Sequence, residues 1–313
     1  MQPFELSPFS TLAVGIIGFL LTATLISRLI ALRVGSTPTM VNLRDRINAW
    51  WVLVGLGLPV LALGKGVTIV LFAVLSFLTL REFISITPTR QGDRVVLFAA
   101  FFVAVPFQYA LVASGWYGLF SILIPVYGFF AMAAMSTFAQ DTQHFLERNA
   151  KIQWAVMVCV YGISHAPALL FLEIPNHQGQ QAAMLLFFLL VVQLSDVMQY
   201  VFGKLMGRRK VAPILSPNKT VEGLVGGGLS ASLVGALLHS FTPFSAAQAF
   251  LLSVAIVIAG FFGGLVLSAV KRSLGAKDWG SSIPGHGGVL DRLDSVAFSA
   301  PIFFHLVRYW FVP

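Results

Sequence analysis

A chain of 313 residues that is 57% hydrophobic and only 10% charged, with a mean hydropathy of +0.86, is too oily for an ordinary soluble domain. Its formal net charge of +8 would suit an acidic partner, but the placement of the cations makes that charge an orientation signal and leaves no nucleic-acid partner to expect. The expected fold class is all-α, a polytopic integral membrane protein of about ten transmembrane helices.

Apolar stretches of roughly 17 to 25 residues are long enough to cross the hydrocarbon. In chain order they fall near 11–33, 49–64, 66–81, 95–113, 116–137, 154–172, 181–203, 221–240, 247–270 and 295–312, the second and third being short. The first lacks a basic leading region and is followed by many like it, which predicts a spanning helix and not a cleaved signal peptide. Cytoplasmic loops carry the Lys and Arg. With both termini outside, eighteen of the twenty basic residues reach the inner side: Arg28, Arg33, Arg44 and Arg46, then Arg81, Arg90 and Arg94, then Arg148 and Lys151, then Lys204, Arg208, Arg209, Lys210 and Lys219, and last Lys271, Arg272, Lys277 and Arg292. Only Lys65 and Arg308 fall outside. Segments 34–48, 82–94, 138–153, 204–220 and 271–294 therefore face the cytoplasm, and the expected location is a bacterial inner (plasma) membrane. No repeat or long hydrophilic linker interrupts the chain, so residues 1–313 read as one membrane-embedded domain, with 181–313 as its catalytic core.

Within this frame most single polar residues have modest readings. The stretch 138–151 suits either a short interfacial helix with Phe138, Phe145 and Leu146 towards lipid or a plain loop. Cys159 sits in an apolar run as a small buried hydrophobe, and His165 reads as a bundle-facing histidine bonded to a neighbouring helix. The pairs Gly223/Gly227 and Gly260/Gly264 have the spacing that allows close helix approach. Asp196 is different, because an ionisable residue inside an apolar run needs a partner, a cavity or a metal.

Two inner loops gather the chemistry. In "SPNKTVEG", Ser216 and Lys219 offer a hydroxyl and an ammonium beside a helix N-terminus, a ready anion site. In "SAVKRSLGAKDWGSSIPGHGGVLDRLDS", residues 268–295, Pro284, Gly285, Gly287 and Gly288 let backbone amides approach a phosphate. The spacing of three in Asp291-Arg292-Leu293-Asp294 puts both carboxylates on one face of a starting helix, where they suit a hard divalent cation whose other positions go to water and phosphate oxygens.

Ser268, Lys271-Arg272, Lys277-Asp278, Pro284, His286-Gly287-Gly288, Asp291-Arg292 and Asp294 together resemble the signature of the phosphatidate cytidylyltransferase (CDP-diacylglycerol synthase) family, without a gap. Asp196, Tyr200, Gly203 and "SPNKTVEG" are similar to a second region of that family, while Gln199 stands where the family usually has a small residue. The resemblance implies an enzyme that joins CTP and phosphatidic acid into CDP-diacylglycerol and pyrophosphate using Mg²⁺, embedded among membrane lipids as a homodimer. It implies Asp291 and Asp294 as metal ligands with Asp278 and Asp196 as further candidates. Lys271, Arg272, Lys277, Arg292 and Lys219 would clamp phosphates, Ser216, Gly287 and Gly288 would add hydrogen bonds, and His286 would orient the loop or a phosphate. The alternatives are a CTP-dependent lipid kinase and a non-catalytic transporter or scaffold of the same fold.

Overall fold

The structure, a computed structural model, describes residues 7–34, 37–281 and 287–313. Each of the ten apolar stretches falls on a helix: α1 (Pro8–Val34), α2 (Pro38–Ala62), α3 (Lys65–Ser85), α4 (Gln91–Ser114), α5 (Tyr117–Thr137), α6 (Phe145–Phe171), α7 (Gln181–Met206), α8 (Val221–Phe241), α9 (Ala246–Ser273) and α10 (Leu290–Phe311). Among the described residues eight of these, not ten, are long and apolar enough to cross a membrane. The apolar part of α2 is only Trp50–Ala62, and α10 carries Asp291 in its first turn and Arg308 in its last.

The chain divides into two compact units, one ending at Thr68 and one running from Ile69 to Pro313. In the first, Thr37 caps α2 by accepting the Met40 N–H at 3.3 Å ahead of Pro38, whose fixed φ suits the first helical position. Trp51 Nε1 donates to Thr24 Oγ1 at 3.0 Å and joins α1 to α2. Many of the remaining apolar side chains of these helices, Phe19 and Leu32 among them, are exposed, as lipid-facing residues are.

In the second unit α4, α5 and α6 each contain a π-turn segment, at Ala100–Ala104, Leu123–Gly128 and Met157–Gly162. The first two lie beside or contain a proline, Pro106 and Pro125, whose missing N–H disturbs the regular ladder. The third turns Gly162 against the backbone of Ala297 on α10. Cys159 is fully buried, as expected. His165 is also fully buried, but its Nδ1 lies 2.7 Å from the carbonyl of Tyr161 one turn earlier in its own helix, and α10 offers it only ring contacts from Phe304 and His305.

The segment 138–151 resolves into a turn followed by the start of α6, and of its two cations Arg148 is buried. Arg148 is 5% exposed; its Nε donates to Asp93 Oδ1 at 2.9 Å and its Nη1 to Asp141 Oδ2 at 2.7 Å. Arg90 closes the network, with Nε 2.9 Å from Asp141 and its backbone N–H 2.8 Å from Asp93.

Helices α7, α8, α9 and α10 pack in sequence and form the body that carries the loops of interest. Gly223 and Gly227 of α8 lie on the backbone of α7 around Gln199, so the expected close approach is present there. Gly227→Ala would drive a methyl into the backbone of Met198 and Gln199, and we expect a loss of about 1–3 kcal/mol, measured as a lower thermal midpoint in detergent; an unchanged midpoint would mean that α8 shifts freely. Among the described residues the one sheet is a small antiparallel hairpin, β1 (Lys210–Ala212) and β2 (Ser216–Thr220), with Lys210 opposite Thr220 and Ala212 opposite Ser216. Thr220 caps α8 by accepting the Gly223 N–H at 3.1 Å, and Glu222 accepts the N–H groups of Arg208 at 2.9 Å and Arg209 at 3.1 Å. The hairpin is thereby fixed to the start of α8, which fixes where Lys219 can reach.

Candidate active site

Two carboxylates from different helices meet around one serine. Ser295 Oγ lies 2.9 Å from Asp196 Oδ2 on α7 and 3.3 Å from Asp294 Oδ1 on α10, and the Ser295 N–H donates to Asp294 Oδ1 at 2.6 Å. Lys219 reaches in from β2, its Nζ donating to the Phe261 carbonyl at 3.2 Å and sitting 4.6 Å from the Phe261 ring centre. Its charge acts on both carboxylates. Gly264 of α9 leaves the room it needs, since a Cβ there would stand 2.8 Å from Lys219 Nζ and 3.5 Å from Asp294 Oδ2. Of the two α9 glycines read as packing residues, Gly260 lies against Ser295, whereas Gly264 gives clearance to a cation.

Asp291, one turn before Asp294, takes different partners. Its Oδ1 is 2.5 Å from Lys271 Nζ at the end of α9, and its Oδ2 accepts the N–H groups of Trp279 and Gly288, both at 2.9 Å. The Gly288 amide, expected on a phosphate, thus donates to Asp291. Gly287 adopts φ +81° beside Asp291 and Asp278, a left-handed backbone that favours glycine. Asp278 and Lys277 are exposed, as is Arg272, whose Nη1 donates to the Ala276 carbonyl at 3.3 Å. Arg292 is half-buried in the first turn of α10, and Ser216 is half-buried in β2. Gln199 donates to Ser195 Oγ at 2.6 Å. His286, with Pro284 and Gly285, lies outside the described residues.

The sequence reading passed over two contributors. Ser295 follows the signature directly and supplies the hydroxyl between the carboxylates. Glu82 of α3 accepts the Val289 and Leu290 N–H groups at the start of α10, both at 2.9 Å. Ser295 was open to notice as a hydroxyl beside two acids; nothing local marks Glu82.

A hard divalent cation that shares its positions with water and phosphate oxygens needs only one or two protein carboxylates. The Asp196–Asp294 pair fits that need, because two half-buried carboxylates held together at one serine repel each other, and a divalent cation would offset that repulsion. Asp291 already holds Lys271. Among the described residues no set of three His, Cys, Asp or Glu converges on one point.

Residues 44–310 match the model of the cytidylyltransferase family. The chain belongs to that family. Against curated proteins, this cytidylyltransferase is 38% identical over 295 residues to the Escherichia coli (strain K12) protein named "Uncharacterized protein YnbB", covering 93% of this chain and 95% of that one. It is 31% identical over 256 residues to the phosphatidate cytidylyltransferase of Staphylococcus aureus (strain COL), covering 78% and 91%. Over 120 residues it is 47% identical to the phosphatidate cytidylyltransferase of Staphylococcus saprophyticus, 38% of this chain and 46% of that protein. The cytidylyltransferase is therefore a membrane-embedded nucleotidyltransferase.

Proposed function

We propose that this cytidylyltransferase transfers the cytidylyl group of CTP to phosphatidic acid, giving CDP-diacylglycerol and pyrophosphate, at a site that faces the cytoplasm. The observation that carries the reading is the Asp196–Ser295–Asp294 pair with Lys219 beside it. Two anions have to meet for this reaction, and that cluster combines an ammonium with a carboxylate pair suited to Mg²⁺. Asp196 and Asp294 would hold the ion, whose remaining positions would go to water and phosphate oxygens. When bound, Mg²⁺ supplies positive charge against the phosphate oxygens.

The chain's own residues do the rest. Lys219, Lys271, Arg272, Lys277 and Arg292 orient the triphosphate and the lipid phosphate and offset their repulsion. Ser216 and Gly287 add hydrogen bonds, and His286 orients a phosphate. A phosphate monoester with a second pKa of about 6 is mostly a dianion at neutral pH, so its oxygen attacks the α-phosphorus without a general base. The new bond joins that oxygen to Pα, the bond from Pα to the bridging oxygen breaks, and pyrophosphate carries the electron pair away.

Position of label tests this directly. Purified protein in mixed micelles with Mg²⁺ and phosphatidic acid receives CTP labelled in the α or the γ phosphate. We expect only the α label in lipid, dependent on phosphatidic acid and abolished by chelation. Label from the γ position would make the protein a lipid kinase, and no transfer with any lipid acceptor would leave a transporter or scaffold.

A further inference from the structure

We infer that Glu82 is a positioning residue for cytidylyl transfer, seating from α3 the loop and first helical turn that carry Asp278, Asp291 and Asp294. The first amides of a helix have no partner within it and need one from outside. Val289, which precedes α10, provides no side-chain cap. Glu82, more than 200 residues earlier in the chain, fills that role: Oε1 accepts the Val289 N–H and Oε2 the Leu290 N–H, both at 2.9 Å. Hydrogen bonds to a carboxylate are stronger than neutral ones, and the positive end of the helix adds to them.

The surroundings are shaped to this group. Glu82 is 6% exposed. Gly280 and Gly288 close around it, so that a Cβ at Gly280 would stand 3.2 Å from Oε1 and one at Gly288 would overlap the carboxylate. The next residue, Phe83, stacks on the fully buried Trp279 with ring centres 4.7 Å apart and planes inclined at 22°. The backbone N–H of Trp279 in turn donates to Asp291. Helix α3 thus grips both ends of the segment between Trp279 and Leu290. With the Val289 and Leu290 amides held by a protein carboxylate, those two amides are not open to substrate phosphates.

The inference rests on the cytidylyl-transfer reading, and its test separates the two. Full-length wild type, Glu82→Gln and Glu82→Ala in detergent micelles are compared by hydrogen exchange and by steady-state kinetics with CTP. In Glu82→Gln, which keeps one acceptor, amides 288–291 should exchange at least about tenfold faster while α8 and α9 are unchanged; kcat should fall roughly 10- to 100-fold, as displacements near 1 Å do, with KM for CTP within about threefold. Glu82→Ala should be worse on both measures. Unchanged exchange at 288–291 in both variants overturns the inference, as does faster exchange with wild-type kcat, or loosening that spreads equally through α8 and α9. If the wild type transfers no label from CTP, the reaction reading fails and takes the catalytic role with it, while the exchange data still decide whether Glu82 seats the turn.

Discussion

Asp294→Asn and Asp196→Asn should each lower cytidylyl transfer by about 100-fold or more, the scale of removing one well-placed electrostatic contributor, and should do so without unfolding the protein. The second half of that expectation follows from the geometry. The two carboxylates share Ser295 and one lysine, so without a divalent cation they repel, and replacing either by its neutral isostere removes repulsion. In chelator the variants should melt at or above the wild-type temperature. With Mg²⁺ the order should reverse, because a ligand that binds only the folded state raises its stability and the variants have lost half of the pair. Thermal midpoints with and without Mg²⁺, alongside turnover, give two independent measures. Near-normal turnover in both variants, or an Mg²⁺-induced shift that survives both, would remove the pair from the metal site.

The largest effect on stability should come from Arg148→Met. Removing one partner of a buried ion pair costs about 3–5 kcal/mol, because the other charge stays behind without compensation. Here Asp93 is the stranded group, its side chain 3% exposed against the 5% of Arg148. Its remaining backbone contact, from the Arg90 N–H, does not replace a guanidinium. Denaturant-induced unfolding in micelles should show the loss, and the double variant Arg148→Met with Asp93→Asn should recover more than half of it, since the stranded charge is then gone. A single variant as stable as wild type, or a double variant no better than the single, would show that the network contributes packing alone.

The sequence revealed the scaffold where the signal is local. Lipid demands continuous apolar stretches, so all ten helices were legible from composition along the chain, to within a few residues at most ends. The start of α2 was missed, and that of α6 left open between helix and loop, because their first two turns carry the charges that define a loop in a hydropathy reading, Arg44 and Asp45 in one and Glu147 and Arg148 in the other. The hairpin at 210–220 was missed for a related reason, its strands being the three residues "KVA" and the five residues "SPNKT", with no alternation to announce a strand. At the site, the pattern from Ser268 to Asp294 pointed to a set of charged residues but could not give their pairing. Spacing of three puts Asp291 and Asp294 on one face of α10; it does not say that α9 offers Lys271 to the first while α7 offers a second carboxylate to the other. Glu82 lay beyond reach, because its partners are backbone amides, which every sequence has everywhere.

Asp196 and Ser295 are separated by 99 positions in the chain. At about 5–20 residues per second a ribosome needs roughly 5–20 s to cover that distance, and α8 and α9 emerge in between. During that interval α7 already carries an acid whose hydroxyl partner has not been made. Until α10 is made, that carboxylate has neither Ser295 nor Asp294 beside it. The carboxylate pair is thus a product of assembly, absent from α7 by itself and present only once α10 has packed beside it.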